Sequence, residues 1–497
     1  MEPTPSHEAE PSPSGDLPFY VLAVLVGAIT GVIGTLLHVA VDAALRWPAA
    51  LQRALDDGIA WPQGLSLVGA GIDALLAGPR ALQRLLGGAG HVDLGASGGV
   101  AVLAAGLIAA VLVVLSVMIV RAFAPEAGGS GVQEIEGAME GRRPVRWRRI
   151  LPVKFFGGLL ALGSGLVAGR EGPTIHMGSS IAAAASETFG VRGRDGRGLL
   201  AAGAAAGLAA AFSAPLASIL FVIEETRRQF PYCVKTYSGV MLAAVASGVV
   251  TEAMTGRQPF MLVDVPQMPL GLLPAFAGLG VLLGVVGVVF NRVLVWSMDA
   301  ALGVGRHVSF YLVPAVVGFA VGVLLMVLPE ATMGGETLAV SLMRENLPLT
   351  TLAIVVLVRF VMTMASYATG APGGIFAPIL ALATAIGLLY GLVLDLGVTL
   401  PPGALPAFAV AAMGGLFSAT VRAPLVGVVL IAELTGDYGA FVPAIVTCLF
   451  ANLVADRLGG RPIYEVLLER TLRLAGDAPA AAADARKTRQ LGGWDQR

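Results

Sequence analysis

The chain has 497 residues, of which 56% are hydrophobic and only 13% are charged, and its mean hydropathy is +0.80. Soluble globular proteins are about 45–50% apolar and about 25% charged, so this composition excludes an ordinary soluble domain. A net charge of −1 gives no basis for binding nucleic acid, and two cysteines are too few for a disulfide framework or a thiolate metal site.

Apolar runs that are long enough to cross a bilayer, which takes about 20 residues, recur along the chain. The predicted spans are 19–43, 99–122, 151–168, 199–223, 237–255, 268–298, 309–328, 351–368, 376–400, 405–432 and 440–456. The sequence therefore predicts an all-α polytopic membrane protein embedded in a lipid bilayer.

The segments outside these spans are short. Residues 1–18 are acidic and rich in proline and serine, which predicts a disordered cytoplasmic tail rather than a signal peptide. Residues 45–97 predict an extended loop with a short helix, and 466–497 predict a short cytoplasmic C-terminal tail. One loop is strongly basic, and the positive-inside rule places it in the cytoplasm. Its basic residues are Arg142, Arg143, Arg146, Arg148, Arg149 and Lys154.

Two halves of the chain carry the same elements in the same order. Ala-Pro-Leu stands at Pro215 and again at Pro424, and an acid follows each proline at the same distance, Glu224 and Glu433. "GREGP" precedes the first copy and "GIFAP" the second. Internal repeats are typical of membrane transporters, whose ion sites lie near the midplane at broken helices. We expect two inverted repeats, over about 19–255 and 268–465.

Three glycine-rich breaks interrupt the apolar runs: "GGSGVQEIEG" (128–137), "GREGPTIHMG" (169–178) and "GGIFAPILA" (373–381). A helix that starts at membrane depth presents unpaired N–H groups and the positive end of its dipole. Pro173 and Pro378 suit a first helical turn because they lack an N–H group. Three such helix N-termini that converge would form an anion site at the midplane without a fixed positive charge.

These stretches resemble the three signature motifs of the CLC family of chloride channels and chloride/proton exchangers. "GGRPIYEVLLERTL" (459–472) is similar to the family's C-terminal stretch with its pore-facing tyrosine. The resemblance covers about residues 19–473 and is closest to bacterial exchangers, which implies a bacterial inner membrane location with both termini cytoplasmic. Gln133 departs from the family pattern, which usually has proline there, so we expect it to affect helix geometry or ion preference.

The resemblance implies which residues bind the anion. Ser130 and Tyr464 correspond to the serine and tyrosine whose hydroxyl groups donate to the central chloride. The backbone amides of Ile375 and Phe376 would complete the site, and that of Gly172 would line its outer part. Ser130 also fits a helix capping box with Gln133, because the S-x-x-Q spacing is typical of that motif.

Glu171 is an acid inside a membrane segment, and such residues are functional candidates because burying a charge there is costly. Its carboxylate could take the place of an anion at the same helix N-terminus. The resemblance identifies it as the gating glutamate, which also carries the proton. We expect Arg170 beside it to have a structural role.

Glu224 and Glu225 end an apolar run and lie about 100° apart on a helix, so they face different ways. The resemblance assigns Glu225 to internal proton transfer, and Glu224 would then have a structural role or position Glu225. The implied protein is a homodimeric antiporter, with one pathway per subunit, that exchanges two chlorides for one proton. It is not an enzyme and has no cofactor, and no nucleotide-binding motif of the form G-x-x-x-x-G-K-[ST] occurs.

Two alternatives remain. A passive chloride channel of the same fold is the nearer one, and the acid at Glu225 argues against it. An intramembrane serine protease is the second, because "GGSG" at 128–131 also fits the rhomboid pattern. That mechanism requires a histidine base, and His176 is the only histidine in a candidate functional break.

Overall fold

The computed structural model describes residues 16–56, 98–226, 230, 232–256, 265–344, 348–436 and 439–476. Most of the predicted N-terminal tail, of the 45–97 loop and of the C-terminal tail lies outside these ranges. The α-helices within them are α1 (Leu17–Ala44), α2 (Trp47–Asp56), α3 (Gly98–Phe123), α4 (Val132–Met139), α5 (Trp147–Gly163), α6 (Glu171–Phe189), α7 (Gly193–Phe212), α8 (Pro215–Glu225), α9 (Val234–Thr255), α10 (Leu273–His307), α11 (Leu312–Val327), α12 (Glu336–Arg344), α13 (Leu349–Ala368), α14 (Phe376–Asp395), α15 (Ala404–Val421), α16 (Pro424–Thr435), α17 (Phe441–Arg457) and α18 (Ile463–Leu474).

Seven helices among the described residues are long and apolar enough to cross a membrane. The prediction of an all-α membrane protein is therefore confirmed. Two predicted spans were wrong, because 199–223 and 405–432 each contain two helices. Ser213 and Arg422 end the first helix of each pair in the left-handed region, with φ of 52° and 71°. A proline then starts the next helix, since it fits the first helical position but cannot continue the preceding helix.

Helices α1–α9 and α10–α17 form two repeats that pack in the same way. In the first repeat α1 packs against α9, and in the second α10 packs against α17. Both contacts use glycines four residues apart, which let two helix backbones approach closely. A Cβ at Gly31 would lie 2.8 Å from the Ser247 carbonyl oxygen, and one at Gly280 would lie 2.6 Å from the Thr447 carbonyl oxygen.

The two repeats are inverted and meet along α8 and α16. The Glu433 carboxylate, near the end of α16, accepts hydrogen bonds from the first N–H groups of α8, those of Leu216 (3.0 Å) and Ala217 (2.6 Å). The Glu224 carboxylate, near the end of α8, accepts in the same way from Leu425 (3.4 Å) and Val426 (2.9 Å) of α16. Each acid stabilises the N-terminus of the opposite helix. The structural role predicted for Glu224 is thus confirmed by its contacts.

Candidate anion and proton site

The three glycine-rich breaks meet at the centre of the molecule, where backbone hydrogen bonds join them. Gly169 and Gly374 exchange two such bonds of 2.8 and 2.6 Å. Gly129 donates to the Ala371 carbonyl (3.2 Å) and accepts from the Gly373 N–H (3.1 Å). The loop before α14 therefore binds the loops before α4 and α6. As the sequence predicted, this brings three helix N-termini together.

Lys154 holds the loop that leads into α4. The prediction that it lies in a basic loop was wrong. It lies within α5 and is fully buried. Its Nζ donates to the carbonyl oxygens of Ala127 (3.0 Å) and Gly129 (2.7 Å), because a buried ammonium group must find acceptors. These bonds fix the peptide directly before Ser130.

Ser130 lies at the point where α4 and α6 approach each other. It is fully buried, and its Oγ has no hydrogen-bond partner in the protein. A Cβ at Gly172 would lie 2.5 Å from that Oγ, so only glycine leaves space beside the hydroxyl. The Ser130 N–H donates to the Tyr367 hydroxyl at 3.3 Å. The Ser130 hydroxyl is therefore left as a buried neutral donor in front of two helix N-termini.

The predicted capping box between Ser130 and Gln133 was wrong. The N-cap of α4 is Gly131, whose φ is 93°, and no side chain caps this helix. The Gln133 Oε1 has no hydrogen-bond partner either. The left-handed conformation of Gly131 turns Ser130 out of the capping position, because only glycine adopts it without strain.

Glu171 is the first residue of α6 and is fully buried. Its carboxylate packs against the α-carbon of Gly169, and a Cβ at Gly374 would lie 3.2 Å from the Glu171 Oε2. The carboxylate thus lies between the loops that precede α6 and α14. A cavity of about 100 Å³ reaches Gly169 and is lined by Arg170 and Asp42 among others.

Tyr464 approaches the same centre from the other side. It lies in the first turn of α18 and is 1% exposed. Its ring meets that of Phe221 edge-on, with 6.3 Å between the centroids. Phe376, the first residue of α14, packs in the same aromatic cluster, 4.4 Å from the Phe417 ring. Tyr464 also lies within electrostatic range of Glu171 and Glu225.

Glu225, the last residue of α8, forms a hydrogen-bonded pair with Glu136 of α4. Glu136 is 3% exposed. Its neighbour Glu134 faces the other way and pairs with Arg143 at 2.8 Å. Two carboxyl groups that share a hydrogen bond can hold a proton between them. The structure therefore provides an acid pair between α4 and α8.

The model of the family described as voltage gated chloride channel matches residues 110–456. The chain belongs to the CLC family.

Other CLC proteins are similar over most of their length. The H(+)/Cl(-) exchange transporter ClcA of Vibrio parahaemolyticus is 45% identical over 380 residues, which are 75% of this chain and 80% of the relative. The protein of the same name from Salmonella arizonae is 43% identical over 372 residues, 74% of this chain and 78% of the relative. A crystal structure of a slow cyanobacterial Cl⁻/H⁺ antiporter aligns with a TM-score of 0.78 at 35% identity, and covers 92% of this chain and 98% of that one.

A CLC-type fluoride/proton antiporter shares the fold, with a TM-score of 0.66 at 16% identity. The alignment covers 90% of this chain and 98% of that chain.

Two residues of this candidate site were not predicted from the sequence, Glu136 and Tyr367. Glu136 stood within a quoted motif. Its spacing of two from Glu134 could have shown that the two acids face opposite sides of a helix. Tyr367 has no motif of its own and reaches Ser130 only through the fold.

The geometry also disfavours a serine protease. His176 packs against the α-carbon of Gly131, but neither its Nδ1 nor the Ser130 Oγ has a hydrogen-bond partner. A serine nucleophile requires a hydrogen bond to its base. That pair does not form here.

Proposed function

We propose that the protein exchanges chloride for protons across the membrane as a secondary active antiporter. The observation that carries this proposal is the shared position of an anion site and an acid. The buried Glu171 carboxylate lies beside Gly169 and Gly374, and the next residue, Gly172, borders the Ser130 hydroxyl. Two similar CLC proteins are named H(+)/Cl(-) exchange transporters, which supports the proposal.

In this proposal the chloride is held by neutral donors. The Ser130 and Tyr464 hydroxyl groups donate from two sides, and the N–H groups of Ile375 and Phe376 donate from the start of α14. The Gly172 N–H lines the outer part of the site. Neutral donors bind an anion without the strong attraction of a fixed ammonium group, so the ion can leave again.

Glu171 acts as gate and outer proton carrier. As a carboxylate it competes with chloride for the positive ends of α6 and α14. When it takes up a proton it loses that attraction and leaves the ring, and chloride then occupies its place. Proton uptake and chloride movement are thereby linked through one side chain.

Glu225 acts as the inner proton-transfer acid, with Glu136 as its hydrogen-bonded partner. Chloride and protons share the outer route past Glu171 and separate on the inner side. The ion gradients supply the driving force, so no cofactor is required. The protein acts as a transporter rather than as an enzyme.

The assembly and location belong to the same proposal. We expect a homodimer in a bacterial inner membrane, with both termini cytoplasmic and one complete pathway in each subunit. All the proposed site residues come from a single chain. Cross-linking in membranes at low protein density tests the dimer.

The proposal is tested with purified protein in sealed liposomes that have an outward chloride gradient as the only driving force. We expect uphill proton uptake, which Glu225→Ala abolishes while chloride flux continues. Glu187→Gln is the control, because Glu187 is an exposed acid on α6, far from the inner pair in sequence. Chloride flux without proton movement in the unmodified protein would instead identify a passive channel.

A further inference from the structure

Gln133 and Glu136 are polar residues three positions apart on α4, and Ser130 lies just before the N-cap of this helix. On a helix, residues three apart lie on neighbouring positions of one face. Ser130 stands immediately before the N-cap, and Glu136 lies one turn further along the helix and binds Glu225. The Gln133 amide lies near Gly129 and the Tyr367 hydroxyl, which accepts from the Ser130 N–H, and Glu136 lies one turn further along α4, so Gln133 lies between the proposed anion site and the acid pair.

Gln133 is almost fully buried, at 7% exposed, and its Oε1 has no hydrogen-bond partner. Its amide lies beside Gly129, since a Cβ at Gly129 would be 3.9 Å from Nε2 and 3.4 Å from the Tyr367 hydroxyl. A buried oxygen without a hydrogen-bond donor destabilises the fold, which calls for a functional explanation. Gln133 does not cap α4, so helix formation does not provide one.

We propose that Gln133 is a positioning residue on the proton route and that its Oε1 orients a water molecule between the central site and the Glu136–Glu225 pair. This inference rests on the antiporter function proposed above. The carboxamide accepts a hydrogen bond from the water and does not change its own protonation state. In the transfer, the O–H bond of protonated Glu171 breaks and its proton joins the water. The water then gives a proton to the carboxylate of the inner pair, so atoms and charge balance.

The chemistry of the amide oxygen favours a proton over an anion. A carbonyl oxygen carries partial negative charge and repels chloride, whereas it accepts readily from water. Gln133 and Glu136 lie on the same face of α4, which agrees with a role in proton transfer. A role for Gln133 as a chloride ligand is the alternative that the experiment must distinguish.

The experiment compares Gln133→Met with the unmodified protein in liposomes and measures proton flux, chloride flux and chloride affinity. Methionine has similar length and flexibility but no acceptor oxygen of comparable strength. We expect the proton flux to fall about tenfold, which is the effect of losing one hydrogen bond in the transfer step, while chloride flux and affinity stay within about twofold. Gln133→Glu keeps an acceptor oxygen at the same reach and should retain most of the proton flux. Gln267→Met, at an exposed position, is the control.

Three outcomes would overturn the inference. An unchanged ratio of proton to chloride flux in Gln133→Met would show that Gln133 is not on the proton route. A parallel loss of both fluxes would indicate a structural role, and a loss of chloride affinity would identify an anion ligand. Gln133→Leu provides a second variant if Gln133→Met does not fold. Glu225→Ala, measured in parallel, separates the two proposals, because proton transport that survives this change contradicts the antiporter mechanism itself.

Discussion

The two repeats share a scaffold but differ in chemistry. In the second repeat Arg359 of α13 is fully buried and donates to the carbonyl oxygens of Thr332 (2.9 Å) and Gly334 (2.7 Å). Lys154 and Arg359 are separated along the chain by the same number of residues as their acceptors are, Ala127 from Thr332 and Gly129 from Gly334. The two cations and their acceptors therefore occupy equivalent positions in the two repeats. A buried cation therefore fixes the loop before the short helix in both halves.

Apart from Tyr464 of α18, the side chains that would do the chemistry occur in the first repeat only. At the positions equivalent to Ser130 and Glu171 the second repeat has Gly335 and Phe376. Glu225 corresponds to Leu434. The second repeat contributes backbone amides and an aromatic wall, whereas the first contributes a hydroxyl group and acids. The shared fold of the two repeats thus brings helix ends together. Their different side chains give the site its two proposed functions, anion binding and proton transfer.

The largest effect is expected at Glu171, for which the second repeat has no equivalent acid. Glu171→Gln should abolish proton transport and leave chloride flux that no longer responds to pH, because the amide cannot carry a proton. We expect a loss of at least about 100-fold in proton flux, as for removal of an acid–base group. Phe376→Leu, at the equivalent position, should keep proton coupling. Proton transport that survives in Glu171→Gln would contradict the proposed gate.

Gly172 offers the next comparison, because its equivalent in the second repeat is Ala377. In Gly172→Ala the new Cβ would lie 2.5 Å from the Ser130 Oγ, so we expect chloride affinity to fall about tenfold or more. Isothermal titration with chloride measures this. Ala377→Gly should change affinity by less than about twofold and lower stability only slightly. Equal effects in both variants would argue against a site at Ser130.

Removal of either buried cation should reduce stability, because the carbonyl groups that each one binds lose their donor. We expect Lys154→Met and Arg359→Met each to lower the free energy of unfolding by about 2–5 kcal/mol. Chloride affinity separates them, since only the Lys154 loop leads to Ser130. Denaturant unfolding and chloride titration of both variants check the prediction. A similar affinity loss in Arg359→Met would show that the cation acts through the overall fold.

The smallest effects, and the most similar ones in the two repeats, are expected at Glu224 and Glu433, each of which caps a helix of the other repeat. Glu224→Gln and Glu433→Gln should each lower the free energy of unfolding by about 1 kcal/mol, because an amide oxygen still accepts but lacks the charge. Thermal unfolding of both proteins in the same detergent measures it. A loss of proton coupling in Glu224→Gln alone would show that Glu224 does more than cap α16.

The sequence predicted features that depend on local backbone chemistry. Glycine-rich breaks correctly placed the starts of α4, α6 and α14, since those residues limit helices regardless of their neighbours. The wrong predictions concern residues whose positions depend on contacts with distant parts of the chain. Lys154 looks like a loop residue until its acceptors at Ala127 and Gly129 are known. Gln133 looks like a capping partner until the conformation of Gly131 is known.

The same distinction between local sequence and long-range contacts explains which properties of the acidic residues could be predicted. The sequence identified Glu224 and Glu433 as equivalent, because they follow equivalent prolines. Their acceptance of hydrogen bonds from each other's repeat was not predictable, since each partner lies in the other half of the chain. Glu136 was missed because its role depends on contact with Glu225.

The exchange of caps between α8 and α16 has a consequence for how the molecule can be divided. Each half closes a helix of the other half, so neither is complete when it is produced alone. A chain cut between Gly256 and Val265 would yield two fragments that each expose uncapped N–H groups. Expressed together, the fragments should assemble into a working transporter, whereas either one alone should be degraded.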